Sequence, residues 1–300
     1  MTLSADSFEP HRPRLLSIAY RMLGEWAGAE DVVQEAWLRW SRADAAEIRD
    51  PAAWLSTVTM RLALDALRAA KARRETYVGP WLPEPLLPDD IRLLGADAAA
   101  DRVELASDLS LALMHVLERL SPEERAALIL HDAFDFNHRE IAGALDKSET
   151  AARKLVSRAR ERVKADRPRF HATTQQREDL LLRFATASAG MDAAELAKLF
   201  APDAIAYTDG GGRVRAALNP IRGADKIARF VIGLARKFSA LGPPKWRLSE
   251  INQRAAIVLA YEGEPASVLT LDGEGGLVTA LYVLRNPDKV SRVVRALALN

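Results

Sequence analysis

The sequence has no cysteine and only five histidines, and these two shortages narrow the chemistry that it can support. Without cysteine, the chain can form neither a disulfide, a cysteine-ligated zinc site nor a thiol switch. All five histidines lie at or before His171, so the C-terminal part of the chain has no imidazole to offer. We therefore expect no metal site and no cofactor.

The sequence also lacks long apolar runs and any large excess of positive or negative charge. No uninterrupted apolar stretch is long enough to cross a bilayer, and the first residues lack the basic-then-apolar pattern of a signal peptide. The formal net charge is only +1, while 49% of the residues are apolar, which is enough for real cores. A length of 300 residues indicates two or three domains. We expect a soluble cytoplasmic protein without membrane contact.

Residues 137–160 have the pattern of two helices joined by a tight turn. Asn137 can cap the first helix, and Glu140 three residues later completes a capping box. Ser148 can cap the second helix, in which apolar residues recur at three- and four-residue steps from Ala152 to Val163. These apolar residues share one face. The opposite face carries Glu149, Thr150, Arg153, Lys154, Ser157, Arg158 and Arg160.

The second of these helices is strongly basic. Residues 153–169 contain eight Lys or Arg and only two acids. A helix-turn-helix places its second helix in the major groove of DNA, where its early residues meet base edges and later basic residues meet phosphates. A solvated basic helix on a bundle is the alternative, but spacing, caps and charge together favour DNA. The predicted DNA-binding residues here are Ser148, Glu149, Thr150, Arg153, Lys154, Ser157 and Arg158.

Three amphipathic helices are predicted before residue 75. They cover residues 17–23, 26–42 and 51–74, and the third opens with a proline at its first position, where a missing N–H costs nothing. The outer face of the second helix carries Glu30, Asp31, Gln34 and Glu35. The third helix has five basic residues against the single acid Asp65, and these are Arg61, Arg68, Lys71, Arg73 and Arg74.

Residues 29–39, 50–55 and 62–68 resemble region 2 of extracytoplasmic-function (ECF) sigma factors of RNA polymerase, and the helix-turn-helix resembles region 4 of the same family. The resemblance covers roughly residues 7–165. It implies that Glu30, Asp31, Gln34 and Glu35 dock on the β′ coiled coil of core RNA polymerase. A further contact to the β flap is implied as well.

The same resemblance implies a role in promoter opening for the third helix. Trp54 and the basic residues Arg61, Arg68, Lys71, Arg73 and Arg74 would hold melted promoter DNA, which requires stacking surfaces over a basic floor. Trp54 could equally be a core residue. Arg61 and Leu155 depart from the residues that many family members carry at these positions.

Residues 80–88 contain four prolines and favour an extended path between the two helical segments. Trp81, Leu82, Leu86 and Leu87 are too apolar for an inert spacer, so we expect them to pack on something. The run Trp81, Leu82, Pro83, Glu84 and Pro85 resembles the linker motif of the SigJ-type subgroup of this family. That subgroup carries a C-terminal extension in place of a separate anti-sigma partner.

The C-terminal segment mixes predicted helices and strands. Helices are predicted over residues 174–189, 192–200 and 223–239, a hairpin over residues 204–217, and strands over residues 245–250, 255–261, 267–271 and 277–284. This order makes an α+β plan and resembles the cone-shaped SnoaL-like fold. Further motifs of the SigJ-type subgroup are matched by Asp209, Gly210, Gly211 and Gly212, and by Asn286, Pro287, Asp288 and Lys289. The resemblance implies that the residues of these two motifs and of the linker motif make the regulatory contacts.

Catalysis by this segment is disfavoured. Enzymes of this fold use a carboxylate or histidine as general base, and Tyr207 with Asp209 could be posed as such a pair. Asp209, however, precedes three glycines in a predicted turn, where aspartate is common for local hydrogen bonding. We predict a regulatory domain that is not an enzyme, contacts the linker and both sigma domains, and leaves room for a small-molecule ligand in its pocket.

The predicted chain is therefore multidomain. Residues 1–74 form sigma region 2, residues 75–107 a proline-rich linker, residues 108–168 the region 4 helix-turn-helix, and residues 172–300 a SnoaL-like α+β domain. The predicted function is that of an alternative sigma factor that brings core RNA polymerase to promoter DNA, modulated by its own C-terminal domain. The alternative is a helix-turn-helix regulator that senses a small molecule through the C-terminal pocket.

Overall fold

The computed structural model describes residues 4–74, 76–95, 108–166 and 173–299. The chain forms two compact units, each described here by itself. The first, the helical unit, comprises Met1–Thr76, Asp89–Leu109 and Leu113–Arg167. The second, the α+β unit, comprises Tyr77–Pro88, Ser110–Ala112 and Pro168–Asn300. The proline-rich stretch after Tyr77 thus belongs to the α+β unit.

The first half of the helical unit contains α1 (Ala5–Phe8), α2 (Arg12–Leu23), α3 (Trp26–Arg42) and α4 (Pro51–Arg74), with short 3-10 turns at Glu9–His11 and Ala45–Glu47. Gly24 ends α2 with a φ of 68°, the left-handed conformation that glycine adopts without strain. The predicted bounds of α3 and α4 are the observed ones. Local signals, a glycine stop and a proline start, are sufficient to place these helices.

The second half contains α5 (Pro88–Leu93), α6 (Leu111–Glu118), α7 (Pro122–Leu128), α8 (His138–Leu145) and α9 (Glu149–Asp166). A π-helical turn, Ile129–Ala133, follows α7. Both α7 and α8 begin with complete capping boxes, at Ser121 and Asn137. The predicted domain boundaries at 75, 107, 168 and 172 lie outside the described residues.

The α+β unit is built on a six-stranded sheet in the order β2-β1-β6-β5-β4-β3. Its strands are β1 (Phe200–Asp209), β2 (Ile221–Arg222), β3 (Lys245–Ile251), β4 (Arg254–Ala260), β5 (Ser267–Glu274) and β6 (Leu277–Leu284). Strands β3 to β6 form an antiparallel meander, while β1 pairs in parallel with β6. The helices are α10 (Thr174–Ala189), α11 (Ala193–Ala197), α12 (Ala224–Ser239) and α13 (Pro287–Ala296).

The sheet is covered on both faces around β6. Leu281 and Val283 of β6 pack in a cluster with residues of α10 and α12. Tyr282 and Leu284, which alternate with them, pack in a second cluster with α13 and with Leu82 of the proline-rich stretch. Alternation along a strand sends successive side chains to opposite faces. The sheet therefore separates two cores, and the proline-rich stretch contributes to one of them.

The predicted hairpin over residues 204–217 is wrong. Residues 213–217 form no strand, and β1 instead pairs with β6 and with the short β2. The predicted helix over residues 192–200 is shorter than expected, because β1 already begins at Phe200. Helix α13 was not predicted. No described helix combines the length and the apolar content that a membrane crossing requires.

Candidate functional site

The second helix of the helix-turn-helix, α9, presents one polar face to solvent. Its apolar side is buried at Ala152, Leu155, Val156, Ala159 and Val163. Leu155, an unusual residue for its position in the resemblance, therefore serves the core. The exposed side, called here the recognition face, consists of Ser148, Glu149, Thr150, Arg153, Lys154, Ser157 and Arg158.

The recognition face is held in place at both ends. At its start, the Ser148 hydroxyl accepts a hydrogen bond from the Ala151 N–H at 3.2 Å and so caps the helix. Further along, Arg158 Nε lies 3.8 Å from the buried Glu124 of α7, which Arg162 also contacts at 2.7 Å. The later arginines thus fix the helix to its support, while the early residues of the face point outward.

An acidic stripe lies on α3. Glu30, Asp31 and Gln34 are exposed, whereas Glu35 is half-buried and accepts a hydrogen bond from Arg39 at 3.2 Å. The opposite side of α3 is buried in the helical unit. The four residues Glu30, Asp31, Gln34 and Glu35, called here the acidic stripe, therefore follow one side of a helix that the core holds rigidly.

Trp54, near the start of α4, combines the two roles that the sequence left open. Its ring lies 5.7 Å from the ring of Trp40, which is fully buried. Trp54 itself is only half-buried. The side chain thus packs on the core with one part and keeps aromatic surface accessible with the other.

The basic residues of α4 contact the second half of the helical unit. Arg61 donates hydrogen bonds to the carbonyl oxygens of Ala144 at 3.0 Å and Gly143 at 2.6 Å. These carbonyls end α8, where the helix dipole favours a cation. Lys71 donates to the Leu120 carbonyl at 2.5 Å. We call Arg61, Arg68 and Lys71 the basic stripe; nothing is described of the Arg73 and Arg74 side chains.

Arg68, the third residue of the basic stripe, pairs with carboxylates rather than carbonyls. Its guanidinium lies 2.6 Å from the Glu123 carboxylate at the start of α7 and 3.2 Å from Asp65. The hydrogen bond between Arg68 and Glu123 lowers the pKa of the Glu123 carboxyl and raises the pKa of the guanidinium. All three residues of the basic stripe are thus engaged within the helical unit.

Asp209 is the centre of a buried cluster in the α+β unit. Its side chain is 0% exposed. One carboxylate oxygen accepts hydrogen bonds from the Tyr77 hydroxyl at 2.6 Å and the Gly211 N–H at 3.0 Å. The other accepts from the Leu82 N–H at 2.9 Å and the Lys289 ammonium at 2.7 Å. We call Asp209, Lys289, Tyr77 and Leu82 the linker clasp.

This geometry does not support Asp209 as a general base. Four donors occupy the approximately four acceptor sites that a carboxylate offers. Tyr207, its suggested partner, instead stacks on Tyr282 with ring centroids 5.6 Å apart. The aspartate that the sequence placed in an ordinary turn is therefore a buried structural anchor.

Lys289 contributes more than its ion pair. It also donates to the Leu82 carbonyl at 2.5 Å, and its ammonium lies 4.2 Å from the centroid of the Trp81 ring and 5.1 Å from that of Tyr77. A cation over an aromatic face is attracted by the ring quadrupole. One lysine thus contacts backbone and both aromatic rings of the proline-rich stretch.

A second anchor holds this stretch four residues further on. The Leu86 N–H donates to the Asn252 side-chain oxygen at 2.8 Å, and the Asn252 N–H donates to the Leu86 carbonyl at 2.9 Å. Leu82 and Leu86 are fully buried. Pro83 and Pro85 are buried as well, and Glu84 lies 3.8 Å from Arg292. The prediction that the apolar linker packs on something is confirmed.

The glycines after Asp209 make room for this arrangement. Gly211 has a φ of 60°, and a Cβ there would collide with the Asn286 side chain. Gly212 has a φ of 70°, and its Cβ would approach Val78 of the linker to 3.2 Å. Positive φ and close approach both call for glycine. The remaining glycine, Gly210, has its own Cβ position blocked by the Val214 carbonyl.

The motif from Asn286 to Lys289 starts α13 and completes the cluster. Asn286 caps the helix by accepting from the Asp288 N–H at 3.1 Å, and its side-chain amide donates to the Tyr77 hydroxyl at 3.0 Å. Pro287 occupies the first turn of α13. Asp288 pairs with Arg213 at the surface at 3.3 Å. The two C-terminal motifs and the linker motif therefore meet at one place.

Sequence reasoning missed Tyr77 and Asn252, which hold the two ends of the proline-rich stretch. Asn252 has a φ of 50° and Gln253 a φ of 62°, so they form a tight turn between β3 and β4. Asparagine tolerates this conformation, and the pair between two predicted strands was the only available signal. No local signal marks Tyr77.

The sequence also matches known families in two places. Residues 8–73 match the Sigma-70 region 2 family and residues 110–163 match the Sigma-70 region 4 family. The chain is 38% identical over 298 residues to the ECF RNA polymerase sigma factor SigJ of Mycobacterium tuberculosis, covering 96% of this chain and 93% of that protein. It is 30% identical to the probable ECF RNA polymerase sigma factor SigI of the same species, covering 94% and 93%.

A solved structure agrees with these matches. The crystal structure of the Mycobacterium tuberculosis extracytoplasmic function sigma factor SigJ superimposes with a TM-score of 0.74 at 35% identity, covering 96% of this chain and 98% of that one. The predicted fold class, two helical sigma segments followed by an α+β segment, is confirmed.

Proposed function

The chain belongs to the extracytoplasmic-function sigma factors of RNA polymerase, and on that premise we propose how its surfaces direct core polymerase to promoters. The recognition face of α9 binds the upstream promoter element, the acidic stripe of α3 binds polymerase, and the basic stripe of α4 with Trp54 binds the opened DNA strand. The protein acts in the cytoplasm, where the polymerase works.

The observation that carries the proposal is the division of α9 into a buried apolar side and an exposed recognition face. A helix that enters the major groove needs its reading side chains free of the fold and its backbone held from behind. Arg153 and Lys154 stand early in this helix, where side chains reach base edges. Basic residues along the same helix add contacts to phosphates.

The acidic stripe is suited to a basic protein partner. Two of its exposed side chains, Glu30 and Asp31, are carboxylates on one helix, and their negative charge can steer a positively charged surface toward them. We assign the β′ coiled coil of core polymerase to this stripe and the β flap to the region 4 half of the helical unit.

We further propose that the α+β unit regulates the sigma segments through the linker clasp. The proline-rich stretch joins the region 2 and region 4 segments along the chain, and the clasp holds its backbone at Leu82 with a buried carboxylate and a buried lysine. Fixing this stretch restricts the distances that the two sigma segments can adopt. A catalytic role is not part of the proposal.

The alternative, an ordinary helix-turn-helix regulator, accounts for α9 but not for the region 2 match over residues 8–73. It is not favoured. A direct measurement separates the two, because a regulator binds DNA on its own, whereas a sigma factor must form a complex with core polymerase.

The test is gel filtration of the full chain with core polymerase, followed by transcription from genomic fragments. We expect co-elution and defined start sites. Asp31→Lys should weaken the complex, while the same reversal at Asp179, an exposed acid on α10, should leave it intact. Failure of the unmodified chain to bind core polymerase or to start transcription at any promoter would refute the proposal.

A further inference from the structure

The α+β unit contains an apolar cavity that the proposed surfaces do not use. Its volume is about 790 Å³, and it lies between α10, α12 and the strands β3 to β6. Pockets of roughly 300–1,000 Å³ hold drug-sized molecules. Among its lining residues, Leu182, Met191, Trp246 and Leu248 remain exposed. Large apolar side chains left in water in this way mark a binding surface.

Arg285 is the one charged residue among those described as lining this mostly apolar cavity. The residue is 5% exposed. Its guanidinium donates to the Arg215 carbonyl at 3.0 Å, lies 3.4 Å from the Glu264 carboxylate, and sits 5.0 Å from the centroid of the Phe238 ring, which also lines the cavity. Its Nε has no hydrogen-bond partner in the described part of the chain.

A buried donor without an acceptor costs free energy, and the cost is larger when the donor is charged. Ser188, whose hydroxyl is buried and likewise without a partner among the described residues, lines the same cavity. Glu264 compensates the charge of Arg285 only in part, because its side chain is 34% exposed and its contact is long. The cavity thus combines a large apolar volume with one cationic side chain in its wall, whose Nε is buried and lacks an acceptor among the described residues.

We infer that this cavity binds a small amphipathic molecule with an apolar body and a single anionic head group, which accepts a hydrogen bond from Arg285. A guanidinium can only donate, so it selects an acceptor, and it favours an anion over a neutral group. The apolar walls select a body of hydrocarbon or aromatic character. The inference that the cavity binds such a molecule rests on the cavity itself. The effect of binding on the linker, described next, rests on the proposed regulatory role of the linker clasp.

The consequence follows from the position of Arg285 beside the clasp. The backbone N–H groups of Arg285 and Asn286 both donate to the Asp209 carbonyl, at 2.7 and 3.0 Å. The Asp209 side chain in turn accepts from the Leu82 N–H. A ligand that fixes Arg285 therefore stabilises the peptide on which the clasp is built, and holds the linker more firmly.

Calorimetric titration of the full chain with two matched probe pairs tests the binding step. The pairs are decanoate with decanol, which are flexible, and naphthoate with naphthol, which are flat. In at least one pair the acid should bind about tenfold more tightly than the neutral compound, the factor expected for one charge-assisted hydrogen bond. Equal affinities in both pairs, or no binding of either acid, would overturn the inference.

Three variants and one control variant locate the site. Arg285→Gln should abolish the preference for the acid and leave the affinity for the neutral compound within about twofold. Arg285→Lys should retain part of the preference for the acid, and it replaces Arg285→Gln as the test if that variant unfolds. Leu259→Trp, which fills the cavity, should weaken both compounds. Arg229→Gln, at an exposed arginine on α12, should change nothing. An acid preference that survives Arg285→Gln would place the probe elsewhere and overturn the inference.

Hydrogen exchange tests the consequence. With the acid bound, the Leu82 amide should exchange several-fold more slowly, whereas the Leu86 amide, which Asn252 holds, provides the internal comparison and should change less. Unchanged exchange at Leu82 would refute the link to the clasp. None of these measurements needs polymerase, so their failure is distinguishable from failure of the proposed function.

Discussion

Asp209→Asn tests the linker clasp, because it keeps nearly the same shape but removes one charge and replaces one acceptor oxygen with an NH2 donor. Asp209 is 0% exposed at the side chain and Lys289 only 9%, and their charged atoms lie 2.7 Å apart. Removing one partner of a buried pair leaves the other charge uncompensated, at a cost of about 3–5 kcal/mol. Lys289 keeps the Leu82 carbonyl and the Trp81 ring, so we expect the lower end of that range.

Urea denaturation of the full chain measures this loss, read by hydrogen exchange of peptides from β5 and β6 so that the α+β unit is followed by itself. A chain of two units does not unfold in a single step, and a global free energy would mix them. With a slope of about 2 kcal/mol per molar urea, a loss of about 3 kcal/mol lowers the midpoint by about 1.5 M.

A double-mutant cycle with Lys289→Met supplies the decisive comparison. If the pair acts as the geometry indicates, the double variant is more stable than the sum of the two single losses predicts, by more than about 1 kcal/mol. Additive losses, or a midpoint shift below about 0.5 M in the single variant, would refute the reasoning. Asp288→Asn is the matched control, because its pair with Arg213 is exposed and contributes at most about 1 kcal/mol.

Three further outcomes follow from the helical unit. Arg153→Ala should weaken promoter binding by the polymerase complex by about 1–3 kcal/mol. Arg183 is an exposed helix arginine with the same spacing to its acidic partner, so Arg183→Ala should leave promoter binding unchanged. Equal promoter binding by the two variants in a gel-shift assay would contradict this prediction. Glu123→Gln removes the ion pair with Arg68 and should lower the unfolding free energy of the helical unit by at most about 1 kcal/mol, without reducing promoter opening; loss of permanganate-reactive thymines would count against it. Burial lowers the pKa of His138, so the unfolded chain binds this proton more tightly and the helical unit should lose stability as pH falls through about 6.5. His138→Gln should flatten that part of the melting-temperature profile, and an unchanged profile would contradict the assignment.

The helical unit could be predicted closely because its signals are local. Gly24, Pro51 and the capping box at Asn137 each act within one helical turn, and the observed helices begin or end at them. The recognition face could be predicted for the same reason, since helical periodicity alone separates it from the buried side of α9. Where neighbours in sequence decide the structure, the sequence is sufficient.

The motif resemblance indicated Leu82, Asp209 and Lys289 as regulatory contacts, but the geometry of the linker clasp could not be predicted, because its contacts join distant parts of the chain. Asp209 reaches Tyr77 and Lys289 only after β1 has paired in parallel with β6. A turn aspartate and a buried anchor look alike in sequence, and the hairpin prediction chose the local explanation. Helix α13 is different: Asn286 followed by proline is a recognisable helix start, and that signal was overlooked.

The basic stripe imposes a constraint on the proposed function. Arg61, Arg68 and Lys71 donate to carbonyls and a carboxylate of the second half of the helical unit, and the same donors cannot bind phosphates while they do so. Under the proposed function, the N–H groups that make these bonds reach DNA only when α4 parts from α7 and α8.

The polar cost of that separation is small. Exposed ion pairs and hydrogen bonds contribute about 1 kcal/mol each or less, and salt screens them further. Under the proposed function, the bonds within the helical unit and the contacts to DNA are alternative uses of the same three side chains.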